Sequence, residues 1–481
     1  YMKIGDRHTP SYSLTNSGKE EKAFNFGFHY SINDNFSLLV SMVNEDQLTV
    51  AFRLGINISQ KNSENINDIQ QKVPKKNHTD KLSFYRSIKD SLNNNKLYLQ
   101  EATLHNKHLD VTIAQAKYTN MVRSAEEAAK IILESSNNFE KQIESFGITN
   151  TTNGLGINKI MFTKEDLNNE IRIPDITTIF EKADTNKIYN GEYQPRVLYP
   201  VISHTLSPQG MHHIGSPERF YYGGLALKIS SSMLFSRRLS LSSDISLTLY
   251  DEFDEKINKP DSALPHVRSE VVRYLQEGNE YISRLQFNYI DEIFPDYYAR
   301  ISTGIFESMF AGIGMELLHS PFDKNYSVGF NLYSLKQRDY NQLFDFLEYK
   351  TSTGHLNFYY TEPRSKITAH ISYGRYLAKD DGYTVDFSRR FQNGGTIGAF
   401  FTITDVPREL FGEGSFDKGF YFQIPISIFT KDDRPGSFSW AMRPLTRDGG
   451  QKVEDTSNLY GIIYGSKYYQ IKDFSNSLNN E

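Results

Sequence analysis

Six charged residues stand on the polar side of alternating segments: Arg284, Arg300, Glu316, Arg375, Asp386 and Arg390. Opposite charges on adjacent strands can close a pore with ion-pair ladders. The same groups can instead line a path for an anionic polymer. Choosing between these readings needs cross-strand register, so both stay open. A second candidate is the Gly-rich stretch holding Glu413, Asp417 and Lys418. Two carboxylates in one cleft, about 5–9.5 Å apart, could do acid–base work on a glycan. A turn whose ion pair fixes strand register is the plainer reading, because no further constellation can be placed beside it. His204 and Met211-His212-His213 suggest a metal only superficially, since adjacent residues of an extended chain point to opposite sides. Arg447-Asp448-Gly449-Gly450 reads as a turn stabilised by Asp and Gly. Gly154-Leu155-Gly156 lacks a phosphate-loop continuation and reads as a turn between strands. No catalytic residue, metal or cofactor is assigned.

The elements that position these residues are mostly strands. The chain has 481 residues, enough for two or three domains, and no cysteine, which removes disulfides, thiolate-bound metals and thiol nucleophiles. A net charge of -5 argues against non-specific nucleic-acid binding. Mean hydropathy is -0.53 and no apolar run is long enough for a transmembrane helix. Transmembrane strands need no such run. The chain starts at Tyr1 without a signal peptide, and its opening strands are expected to end a larger sheet whose start is absent.

Residues 24–58 alternate: Phe24, Phe26, Phe28 and Tyr30 on one face, then Phe36, Leu38, Val40 and Met42, then Leu48, Val50, Phe52 and Leu54. These are expected to be strands of an incomplete N-terminal barrel. Residues 59–80 read as a polar linker. Over 81–172 the period changes. Helices fit 81–93 and 164–171, and Ser124-Ala-Glu-Glu127 reads as a capping box opening a helix through Ser136. Strands fit 96–103, 108–116, 142–149 and 157–163. The order α-β-β-α-β-β-α predicts a compact α+β domain with helices on one face of a four-stranded sheet. Residues 173–218, with five prolines, read as an irregular connector.

From Arg219 onward alternation returns and persists to about residue 470, predicting one closed antiparallel barrel of roughly 12 strands within 219–481. A soluble sandwich also alternates. Three features favour a transmembrane barrel: long strands; polar faces mixing Gly and Ser with charge; and aromatics at strand ends, as in Tyr221-Tyr222, Tyr297-Tyr298, Phe358-Tyr359-Tyr360 and Tyr468-Tyr469. Ile245, Leu247, Ile301, Phe330, Phe401, Phe422, Ile424 and Ile426 are then expected to face outward, with Asp244, Arg300, Glu316 and Gln423 inward.

Several phrases carry a family resemblance: Tyr298-Ala-Arg-Ile-Ser-Thr-Gly304, Gly312-Ile-Gly-Met-Glu-Leu-Leu318, Thr353-Gly-His-Leu-Asn-Phe-Tyr-Tyr360, Gly374-Arg-Tyr-Leu-Ala-Lys-Asp380, Phe411 through Tyr421, and Pro444-Leu-Thr-Arg-Asp-Gly-Gly450. In this order they resemble the YjbH/GfcD family of outer-membrane proteins from exopolysaccharide and capsule operons. The resemblance implies two tandem barrels with a periplasmic domain between them, and makes Glu413, Asp417 and Lys418 part of a family-motif turn. It also implies a non-enzymatic role in exopolysaccharide or capsule secretion at the Gram-negative outer membrane. Expected partners are outer-membrane lipid, polysaccharide, and periplasmic and lipoprotein components, with no nucleic acid. A glycan-modifying enzyme and a general porin are the alternatives. The polar C-terminal tail departs from barrels that end on a terminal aromatic.

Overall fold

A computed structural model describes most of residues 26–54, 80–168 and 180–479, leaving aside short stretches, the longer ones being 215–220, 254–262, 408–415 and 427–436. The chain divides into two compact units, 1–62 and 63–481. In the first, β1 (Phe26–Asn33), β2 (Phe36–Val43) and β3 (Gln47–Leu54) form an antiparallel meander. Phe28 pairs with Val40 and Val40 with Val50, so the alternating apolar positions share a face.

The second unit opens with α1 (Lys81–Asn94), capped by Asp80, whose carboxylate accepts the Leu82 and Ser83 amide protons at 3.1 and 3.2 Å. Next come β4 (Leu97–His105), β5 (His108–Gln115), α2 (Met121–Ser136), β6 (Ser145–Thr152), β7 (Leu155–Thr163), α3 (Lys164–Asn168) and β8 (Phe180–Lys182). The sheet order is β4-β5-β6-β7-β8, five strands where four are expected. Strands β5 and β6 run parallel because α2 is the crossover between them. The helix starts one turn before the predicted capping box. Asn120 caps it, accepting from Val122 and Arg123, while Ser124 lies inside the first turn and donates to Asn150. The core gathers Phe84, Ile88, Leu92, Leu109, Val111, Ile113, Ala125, Ile132, Phe146 and Ile148.

The rest is a thirteen-stranded antiparallel meander in chain order. Its strands are β9 (Val201–Ile214), β10 (Tyr221–Leu234), β11 (Leu239–Asp251), β12 (Glu280–Phe294), β13 (Tyr297–Ile305), β14 (Phe310–His319) and β15 (Tyr326–Arg338). They continue as β16 (Phe346–Thr361), β17 (Ile367–Arg375), β18 (Asp381–Arg390), β19 (Thr396–Thr404), β20 (Asp417–Pro425) and β21 (Ser437–Met442). A helix, α4 (Val271–Glu277), lies between β11 and β12. Two expectations are corrected. Residues 201–214 form the first strand, not irregular connector; Pro208 is tolerated because this is an edge strand. The chain also leaves the sheet after Met442, and Tyr468-Tyr469 lie in a helix rather than at a strand end. No β9–β21 pairing closes the sheet among the described residues, so a closed barrel is not seen. The twist of the long strands nevertheless curls the two edges together: His212 of β9 and Trp440 of β21 stack at 6.5 Å.

Burial along these strands is inverted relative to a water-soluble sheet. Ile245, Leu247, Ile301, Phe330 and Ile426 are exposed, and Phe401, Phe422 and Ile424 are half-buried. On the opposite face Arg300, Glu316, Gln286, Asn288, Thr353 and His355 are buried. The apolar side is convex and bare; the polar side is concave and covered.

Candidate functional site

What covers the concave face is the chain's own C-terminal segment, residues 448–473, a strap that contains α5 (Leu459–Ile463) and begins α6 (Tyr468–Asn479). It starts where Asp448 accepts the Arg268 and Ser269 amide protons at 2.8 and 2.9 Å. Gly450, with φ +74, donates to the Asp380 carboxylate at 2.7 Å. Both partners lie on connections at one end of the sheet, beyond β11 and β17. There the Arg268 guanidinium meets the Glu307 carboxylate at 2.9 Å and donates to the Lys452 carbonyl at 2.7 Å. Burial pushes Glu307 up to about 7 against the pull of Arg268.

Farther along, one carboxylate of the strap gathers three strands. Asp455 pairs with Arg300 and accepts from Tyr333 at 3.0 Å and Gln286 at 3.3 Å. Arg300 also bonds Glu316 at 3.1 Å and Asn288 at 3.1 Å. Glu316 in turn accepts the Leu459 amide proton at 3.0 Å. Arg300 and Glu316 are directly opposite in register, which the sequence could not fix. Arg284 pairs with its register partner Asp244 at 2.9 Å and donates to Thr456 of the strap. Asp386 accepts from Tyr421 at 3.0 Å and lies within electrostatic reach of Lys452 of the strap. Arg390 lies on the concave face within reach of Tyr464. Farther along the strap Tyr460 stacks on Tyr359 at 3.7 Å.

The strap ends at the opposite end of the sheet. Lys467, only 1 % exposed, donates to the carbonyls of Pro321, Lys324 and Tyr326 at 3.0, 2.9 and 2.6 Å. Pro321 and Lys324 belong to the β14–β15 connection, and Tyr326 opens β15. Ile471 of α6 then enters the core of the α+β segment. That segment is further joined to this end of the sheet by Lys182, which pairs with Glu292 at 2.6 Å and Asp296 at 2.9 Å. The Asn153-Gly154 turn packs there too: a Cβ on Gly154 would lie 2.1 Å from the Arg237 carbonyl oxygen.

Of the six charged candidates, the structure brings Arg284, Arg300 and Glu316 to one strap-bound network and places Asp386 and Arg390 on the same concave face. Arg375 is a correction. It shares its face with Ile371 and Tyr373, outward, and forms an exposed pair with Asp381 at 2.8 Å, because period 2 from Ile371 puts odd-numbered residues of β17 on the convex side. Glu413 lies outside the described residues. Asp417 is buried against Arg443 at 3.2 Å, and Lys418 points outward with its ammonium 4.8 Å from the centre of the Phe416 ring. Gln423 has concave parity but is exposed, bonded to Ser437 at 2.7 Å. His204 bonds Ser231 at 2.7 Å and His212 stacks on Trp440, so the histidines do not converge. Sequence reading missed Asp448, Asp455 and Lys467. Asp448 was visible in its Asp-Gly-Gly turn, but nothing local marked it as an anchor.

The arrangement ties and covers; among the described residues it brings no nucleophile and base together in an open cleft. A family model described as exopolysaccharide biosynthesis protein YbjH matches residues 7–464. An Escherichia coli (strain K12) protein named uncharacterized lipoprotein YjbH is 31% identical over 337 residues, which are 64% of this chain and 47% of that protein. The chain thus spans about half the length of the curated relative it matches.

Proposed function

Because the chain belongs to the YjbH family of exopolysaccharide biosynthesis proteins, which ties it to exopolysaccharide production or export, we propose that it is a non-enzymatic outer-membrane barrel protein taking part in exopolysaccharide or capsule secretion and assembly. The observation that carries this reading is the inverted burial of the thirteen-stranded sheet. A convex face of Ile245, Ile301, Ile313, Phe330 and Leu356 left bare costs about 25 cal/mol per Å² in water. In a bilayer the same face is solvated, while the polar side chains find partners inside. On this reading the α+β segment stands in the periplasm, where it meets lipoprotein and periplasmic partners. Support comes from the end it occupies: Pro295-Asp296 is a tight turn there, whereas residues 252–279 join β11 and β12 at the far end. The lipoprotein name of the relative fits a place in the cell envelope. Strands β1–β3 are then the end of a further barrel.

The strap weighs against a general porin, since it occupies the face that would line the pore. For the glycan-modifying enzyme alternative, the candidate carboxylate Asp417 is buried on Arg443 rather than open to a cleft. The test is extraction of the full chain from membranes. An integral barrel resists an alkaline carbonate wash and migrates differently on gels before and after boiling; a chain released by the wash, with no heat-dependent shift, refutes the reading.

A further inference from the structure

On the bare convex face, near the end of the sheet away from the α+β segment, three lysines surround a shallow groove of about 460 Å³ lined by Ala311, Ile313, Ser334 and Ser352. Lys336 of β15 and Lys350 of β16 are direct register partners. Like charges opposite one another on neighbouring strands repel, so this pairing destabilises the sheet unless an anion joins it. Lys379 comes from the β17–β18 turn, with φ +71, a conformation that a side chain other than glycine's adopts at a cost. Lys336 and Lys379 each hold their ammonium 5.1 Å from an aromatic ring centre, Phe346 and Tyr349. Glu348 lies two positions from Lys350 on the same face, yet among the described residues no ion pair joins it to any of the three.

The position along the strand says what kind of anion fits. Outward residues of β15 run Tyr326, Val328, Phe330, Leu332, Ser334, Lys336. Ten residues at about 3.3 Å each, tilted by about 40°, put Lys336 about 25 Å from Tyr326 along the axis, the height of an apolar band. Tyr326 and Tyr360 mark one interface and the lysines the other. Resting on the outer-membrane reading, we propose that Lys336, Lys350 and Lys379 form a site for the phosphate-bearing headgroup of a lipid in the leaflet away from the α+β segment, its acyl chains lying along Ile313, Leu332 and Leu356. A lipid fits better than a soluble anion because the groove opens directly onto that apolar face.

The test uses the full chain reconstituted in phosphatidylcholine vesicles, with a phosphorylated glucosamine-disaccharide lipid as probe and its dephosphorylated form as control. Wild type should prefer the phosphorylated lipid. Lys336→Gln/Lys350→Gln/Lys379→Gln should weaken that binding on the order of a hundredfold, while Lys81→Gln/Lys89→Gln/Lys107→Gln, on the α+β segment, should not change it. Equal binding by the groove variant and wild type overturns the site while leaving the membrane reading intact. Displacement of the lipid by excess inorganic phosphate overturns the lipid assignment in favour of a soluble anion. Failure of the wild-type chain to enter vesicles at all overturns the membrane reading, and the site with it.

Discussion

At the scale of single residues, the concave face is a set of charged and polar groups whose hydrogen bonds the strap completes. Arg300 has two carboxylates, Glu316 from its neighbour strand and Asp455 from the strap. Asp455→Ala leaves Arg300 paired with Glu316 but removes the buried acceptor shared by Arg300, Tyr333 and Gln286, and should cost about 1–3 kcal/mol in denaturant unfolding. Arg375→Ala, which breaks an exposed pair, should leave the midpoint where it is. A different residue-scale test lies in the α+β segment. Burial would raise the Asp110 carboxyl, but hydrogen bonds from His108 at 3.2 Å and Lys159 at 2.5 Å outweigh it and hold the group below its usual range. The unfolded chain therefore takes up this proton first as pH falls. The stabilisation is whole above the unfolded pKa, about 3.9, and is lost below it as pH drops through the lower folded value. Amide exchange in β5 and β6 should rise in that acid window in wild type, and Asp110→Asn should flatten the rise.

At the scale of elements, strand, strap and helix have separable jobs. The strands carry the inversion. Ile301→Arg, on the exposed side of β13, should cost about 2–4 kcal/mol in a reconstituted bilayer, and Ser302→Ala beside it much less; equal costs would mean that β13 does not face lipid. The strap is fastened at its far end by one ammonium whose three protons meet three carbonyls. Lys467→Met should free that end, seen as faster amide exchange over 459–473 with β12–β16 unchanged. Its last helix also completes another core: Ile471 is fully buried beside the α1 and α2 residues. Ile471→Ala should therefore destabilise the α+β segment by about 2–5 kcal/mol, although it lies some 300 residues away in the chain.

At the scale of the second unit as a whole, the chain returns through the concave side of its own sheet and ends in the α+β core, so that the two ends of the sheet are linked by one covalent run. Asp448 fixes it at the loop end, Asp455 midway and Lys467 at the α+β end. On the proposed barrel reading, a strap anchored in this way should obstruct the lumen. In planar bilayers the intact chain should show no sustained ionic current, whereas an open porin conducts steadily; steady conductance by wild type would show that the strap yields.

By itself the sequence determined the periods. Alternation of two placed Ile301 and Phe330 on one side and Arg300 and Glu316 on the other, because side-chain direction in a strand is a local property. Helical spacing placed α1 and α2, although the cap fell on Asn120 since two capping side chains compete within one turn. The motif phrases carried the family. Only the tertiary structure decided what depends on residues far apart: that Arg300 meets Glu316, that residues 201–214 find a partner strand despite Pro208, that Arg375 lies outside, and that residues 448–473 form a strap across the sheet rather than further strands of it. A short irregular segment has no period of its own. Its conformation is set by the buried charges it must satisfy, and these come from strands as far as 172 residues earlier.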